Sequence, residues 1–446
     1  MKDKKTLIYI IIIVSLVTIL GLLWFLIISD LNNKNSNDNK NIQNTNNSGS
    51  VAYSAVKKIT SDENITNEEY KSTNALENVV LVSGSVKSTL SGVTVNKEGD
   101  ALSGDSANFY GNNSAIIAKD GATLTIKNAT IKTDATFANG VFSYGGSLAT
   151  SNNTGDGTTV NISDSKITTT KDNSGGIMTT GGGLMNATNL TIKTSGTSSA
   201  AIRSDRGGGS VVVNKGTYTT TGKGSPAVYS TADITVKNAT LISKASEGLI
   251  IEGKNKISLD NVNLTDTNNT LNGMSTTYKN IFIYQSMSGD ASVGTACFSS
   301  KNSTIITNKG DSIYVTNTKA SITLENNEFV NNDSRGNFLR IQKDSWGTTG
   351  SNGGDVDLTL INQKVNGNIV VDSISKLTMK LTNKSSFKGS INNSNEGDVS
   401  LELDKTSSIT LTKDTYVNSL TNEDTTNSNI NLNGYKLYVG GSEYKI

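Results

Sequence analysis

From Leu124 onward, apolar residues recur at positions i, i+2 and i+7, and this spacing leaves few folds open to the chain. It fits Leu124/Ile126/Ile131, Val160/Ile162/Ile167, Met185/Ala187/Ile192, Val211/Val213/Tyr218, Ile234/Val236/Leu241 and Ile257/Leu259/Leu264. It returns at Ile322/Leu324/Phe329, Leu358/Leu360/Val365 and Ile430/Leu432/Leu437, with an i+8 variant at Met379/Leu381/Phe387 and Leu401/Leu403/Ile409. Residues i and i+2 share one face of a strand, and the third lies past a turn often built of Asn and a small residue, as at Asn128-Ala129 and Asn238-Ala239. A further apolar strand precedes most pairs: Ile116-Ile117, Val141-Phe142, Ala201-Ile202, Ala227-Val228, Leu249 to Ile251, Ile313 to Val315 and Ile369 to Val371.

Three short strands per unit, stacked in parallel, predict an all-β chain wound as a right-handed parallel β-helix of about 13 coils. One coil cannot bury its inward residues alone, so neighbouring coils supply both the core and the backbone partners. Irregular steps in the repeat place loops or degenerate coils around Leu148 to Thr158 and Leu271 to Ser303. An antiparallel sandwich would need hairpin turns between alternating strands, and Asn-Gly or Asp-Gly pairs do not fall regularly between these runs. The helix is placed at residues 78–432, with covers at 51–77 and 433–446. Cys297, between Ala296 and Phe298, is expected to pack inward.

Leu7 to Ile28 is a run of 22 residues without a charge, long enough to cross a bilayer core. Lys2, Lys4 and Lys5 precede it and Asp30 follows, so residues 1–6 are expected in the cytoplasm, 7–28 as an uncleaved signal-anchor and the remainder outside the cell. A cleaved signal peptide is the alternative, although the run exceeds the usual apolar length of about 7 to 15 residues. Residues 29–50 read as a solvated tether, since nine of the twenty positions from Leu31 to Ser50 are Asn.

Composition narrows the chemistry. Forty Lys and Arg against 39 Asp and Glu leave no basic field for nucleic acid, and the absence of histidine removes the commonest general base and metal ligand. One cysteine forbids an internal disulfide.

Five passages carry a resemblance: Phe109-Tyr110-Gly111 leading to Ser114-Ala115-Ile116, Ser204-Asp205-Arg206-Gly207-Gly208-Gly209, Gly224-Ser225-Pro226-Ala227-Val228-Tyr229-Ser230, Ile283-Tyr284-Gln285-Ser286-Met287-Ser288-Gly289-Asp290, and Ser345-Trp346-Gly347 followed by Gly350-Ser351-Asn352-Gly353-Gly354. Over about residues 70 to 440 the chain resembles the pectate-lyase-like β-helix superfamily, and more closely adhesin-like surface proteins of low-GC bacteria and some archaea. Some β-helices of this kind bind acidic plant polysaccharides, but their Asp-Gly-Ile coil signature is not seen here. The adjacent aspartates, Gly-His-Gly and Arg-Ile-Lys motifs of polygalacturonase-type β-helices are also missing; Arg340-Ile341-Gln342-Lys343 is a broken echo.

Candidate sites follow from strand alternation. If Ile202 and Val228 point inward, Arg203 and Tyr229 point outward, and by register Tyr144, Tyr284, Tyr314 and Arg340 join them in a row suited to sugar rings or protein partners. Asp205 and Arg206, Gln285 and Trp346 complete the expected ligand-binding set, with Asp205-Arg206 read either as a ligand clamp or as a glycine-dependent turn holding a local ion pair. Asp355 and Asp357 are the one carboxylate pair with usable spacing; with Asn352 they form the candidate Ca²⁺ site, and no other cofactor is expected. The expected function is non-enzymatic: a single-pass cell-surface protein, adhesin-like, binding a polysaccharide or a surface protein through the side of the rod. The alternatives are a carbohydrate-active hydrolase or lyase and a purely structural envelope component.

Overall fold

Repeat positions stack in register. In the computed structural model, which describes residues 51–102, 104–148 and 154–445, Leu124, Val160, Met185, Val211, Ile234, Ile257, Phe298, Ile322, Leu358, Met379 and Leu401 form one unbroken column of parallel neighbours. Ile131, Ile167, Ile192, Tyr218, Leu241, Leu264 and Ile305 form another. The strands that precede each pair assemble separately, into a 12-stranded sheet whose inward column runs from Val80 to Ile369. All three columns meet in a single buried core. The result is an all-β unit with long parallel sheets, fitting a parallel β-helix; its 22-stranded second sheet carries both strands of the repeat as far as Glu328–Asn331, beyond which the later strand of each coil joins a four-stranded sheet.

The turns explain why Asn recurs. Asn128, Asp164, Asn189, Asn238, Asn261, Asn302 and Asn326 all adopt left-handed backbone where the chain turns between the two repeat positions of the second sheet, a conformation Asn and Asp tolerate better than other side chains. Several stack: the Asn238 amide donates to Asn214 at 2.8 Å and the Asn261 amide to Asn238 at 2.9 Å.

Three expectations need correction. One coil, Phe298/Ser300/Ile305, was hidden in the long step after Ile257 because its second position is polar; Ser300 is buried and shares a hydrogen bond with Asn327 at 2.8 Å. Ile430 pairs with Ile409, so it occupies the third position of its coil, and Leu420 takes the first, beside Leu401. Cys297 faces outward, because Ala296 and Phe298 on either side of it fill the core and alternation turns it away.

Parallel pairing also begins before residue 78. Ser54–Ile59, Asn64–Thr66 and Glu69–Ser72 pair with Glu77–Ser83, Lys87–Ser91 and Thr94–Lys97. In the coil they pair with, the apolar spacing is broken because Ser88 stands where the following coil has Leu124. At the other end Leu437–Val439 pairs in parallel with Thr415–Val417, and Ser442–Glu443 then folds back antiparallel on it. Among the described residues no helix is long and apolar enough to cross a membrane; the expected anchor at 7–28, with its stub and tether, lies outside those residues.

One inward column is polar. Lys97, Thr133, Thr169, Thr194, Thr220, Ser243, Asp266 and Thr307 succeed one another in register, all buried. The hydroxyls of Thr169, Thr194, Thr220 and Ser243 donate to carbonyls of their own coil, as Thr220 does to Ser225 at 2.6 Å. Asp266 is the misfit: one oxygen accepts from the Asn268 backbone amide at 3.1 Å, the other has no partner among the described residues, and burial holds its carboxyl well above the usual aspartate range.

Candidate functional site

The outward column of the 12-stranded sheet runs Leu81, Ile117, Phe142, Met178, Arg203, Tyr229, Ile250, Phe282, Tyr314, Arg340, Val370. Seven of these eleven are aliphatic, Phe or Met side chains, so this outward face cannot be left to water, and the long insertions cover it. The helix Gly104–Tyr110 and Tyr53 close over one apolar stretch, where Tyr110 meets Tyr144 edge-on at 5.5 Å. Gly111, with φ +72°, lets the chain pass so near Phe142 that a Cβ would sit 2.7 Å from the ring. The loop following Leu339–Ile341 covers the other stretch, with Trp346 against Phe282 and Tyr284, each at 5.2 Å.

The polar pair Arg203 and Tyr229 falls between these two outer clusters, and there a cleft of about 340 Å³ remains open. Its walls include Asn108, Phe109, Asn173, Asp205, Pro226, Asn272, Tyr284 and Asp290. Arg203 is held by Asp205 at 2.8 Å. The Arg206 guanidinium points elsewhere, to Asp290 with Nε at 2.9 Å, and lies 4.1 Å over the Phe109 ring. Positive φ at Gly207, Gly208 and Gly209 allows the turn that separates the two arginines, so Asp205-Arg206 forms two ion pairs with distant and near partners rather than one with each other.

Next to the cleft Glu252 is 1 % exposed, yet among the described residues no cation pairs with it. Its carboxylate accepts from the hydroxyls of Tyr229, Tyr284 (3.2 Å) and Ser286. Burial raises its pKa, the hydroxyl donors oppose that rise, and Asp205 and Asp290 add to it. Asp205 is raised as well, first by burial and then by Asp290, against the pull of Arg203. Both phenols are pushed well above the ordinary tyrosine range by burial and by Glu252.

Of the residues expected to form one exposed row, Arg203, Tyr229, Tyr314 and Arg340 do share a column, whereas Tyr144 and Tyr284 lie two residues further along their strands. Only Arg203, Asp205, Tyr229 and Tyr284 reach the cleft. Tyr144 packs under Tyr110, and Tyr314 is fully buried under the loop bearing Lys343 and Asp344. Arg340 is taken by Asp311 and, at 3.0 Å, by Gln342; Gln285 ties its own loop to Ala291 at 3.2 Å; Trp346 packs in the outer cluster. The Ca²⁺ candidates have separate partners: the Asn352 amide donates to the carbonyls of Asp344 (2.6 Å) and Trp346 (2.9 Å), Asp355 pairs with Lys319 at 3.2 Å, and Asp357 stands exposed on the second sheet. Among the described residues no group of three or more His, Cys, Asp or Glu side chains could hold a metal ion.

No family model matches this chain, and no curated protein or solved structure matches it either. The site therefore has to be read from its own residues. Sequence reasoning missed Asn108, Phe109, Glu252 and Asp290 as site members. Glu252 had a usable signal, since it is in register with Tyr284 on the same outward face. The other three arrive on insertions, and no periodicity marks them.

Proposed function

We propose that this is a membrane-anchored extracellular surface protein, adhesin-like, that binds carbohydrate through the side of a right-handed parallel β-helix. The observation that carries the reading is the cleft at Arg203 and Tyr229, which combines flat apolar surface with amide, hydroxyl and paired charged groups. Right-handed winding is the expected hand of successive parallel crossovers. The charge-free run at 7–28, preceded by three lysines, supports an anchor with residues 1–6 in the cytoplasm and the stacked sheets outside. The resemblance to adhesin-like surface proteins agrees with both.

Two measurements test this. A glycan array probed with the full chain in detergent should give binding above that of an unrelated β-helix; a blank array together with no cell adhesion counts against the reading. Protease added to intact protoplasts should remove the β-helix and leave a short membrane stub, and full protection would reverse the orientation.

A further inference from the structure

The cleft carries more information than its outline, because its charges are already spent. Arg203 is neutralised by Asp205 at 2.8 Å, and Asp290, which also lines the cleft, by Arg206. An anionic ligand would meet two carboxylates with no cation to spare, and a cationic one would have to displace an arginine from a short ion pair. Two of the cleft's lining residues carry a buried side-chain atom that has no hydrogen-bond partner among the described residues, the donor Arg203 Nη1 and the acceptor Asn108 Oδ1. Such groups are costly to leave unmade. A hydroxyl both accepts and donates, so a polyol can satisfy the two together. Phe109, Pro226 and Tyr229 add apolar surface for the C–H faces of a ring.

We infer that the cleft takes an uncharged saccharide, its hydroxyls accepting from Arg203 Nη1 and donating to Asn108 Oδ1. This rests on the carbohydrate-binding reading above and narrows it, since it excludes the acidic polysaccharides that some β-helices bind.

Calorimetric titration of the full chain in detergent, with cellohexaose, mannohexaose and chitohexaose set against oligogalacturonate of equal length, tests it. At least one neutral oligomer should bind and the uronate should bind at least tenfold more weakly. Asn108→Ala, a helical position where alanine is favoured, should weaken neutral binding roughly tenfold with an unchanged thermal midpoint. Arg203→Lys, which keeps the charge but loses the second guanidinium nitrogen, should do the same; its unfolding midpoint shows whether the fold persists. The neutral glycan carried on a lipid in phosphatidylcholine vesicles separates a glycolipid source from a polysaccharide one, and Asn108-dependent binding of either supports the cleft. Preference for oligogalacturonate overturns the inference. Neutral binding unaffected by both substitutions overturns it too, but leaves the surface-binding reading standing. If no glycan binds at all, both fall.

Discussion

Tyr229 donates its phenolic hydrogen to Glu252, a carboxylate supplied by the next strand of the same sheet and almost wholly shielded from water. The bond joins the cleft floor to the loop above it, because Ser286 donates to the same carboxylate from the segment that ends at Asp290. A residue lining the cleft is thus also a structural tie.

Tyr229→Phe should therefore destabilise the protein by about 1–3 kcal/mol, since Glu252 loses one of its three hydroxyl donors while remaining buried. In a double-mutant cycle with Glu252→Gln, urea unfolding should show coupling of at least about 0.5 kcal/mol. Additive effects would mean that the two side chains do not interact in solution.

Acidification gives a second test with a defined sign. Asp205, Glu252 and Asp266 have raised folded pKa values, so each contributes stability that is complete below its unfolded pKa, near 4, and is lost as pH rises through its folded value. Asp404, held down to about 2 by hydrogen bonds from the Asn383 amide, Ser407 and Thr406, behaves oppositely: its contribution is present above about 4 and lost as pH falls toward 2. Urea midpoints should accordingly rise from pH 7 to about pH 5 and fall below about pH 4. A monotonic decline from neutrality would contradict the burial of the first three groups.

Asp266→Thr replaces the misfit of the polar column with the residue found at Thr220 and Thr307. It should stabilise the protein at pH 7 by about 0.5–2 kcal/mol and flatten the acid-side gain. Thermal unfolding at pH 7 and pH 5 measures both effects, and destabilisation at pH 7 would show that the carboxylate has a partner the unoccupied oxygen does not reveal.

Val236→Asp places a carboxylate between Val213 and Leu259 in the inward column and should cost about 4 kcal/mol or more. Lys237→Asp, one residue on, faces solvent; its cost should stay near 0.5 kcal/mol, arising from the like charge of its register neighbour Asp260. Equal losses in urea unfolding would mean that the inward and outward faces are exchanged.

Cys297 should react with a maleimide in the folded protein without denaturant, and Cys297→Ser should change stability by less than about 0.5 kcal/mol. A thiol that reacts only after unfolding would restore the inward placement.

What the sequence by itself determined is the stack. Period-2 alternation and the i+7 return assign Leu124, Val160, Met185, Val211 and their successors to one column, because a parallel coil can bury them only against the same position of the coil above and below. Ser88 and Ser300 escaped because a polar side chain breaks the apolar spacing while its backbone keeps the register. The tertiary structure alone decided what happens outside that stack. Alternation puts Arg203, Tyr229, Tyr314 and Arg340 on one outward face, but whether such a face meets water depends on where the insertions fold. Trp346, Tyr110 and Ser286 arrive on insertions of no fixed period, bury Tyr314, Tyr144 and Glu252, and leave the step from Arg203 to Tyr229 open as a cleft. Local spacing specifies direction within a strand, whereas the cover over that strand is a long-range contact that no spacing encodes.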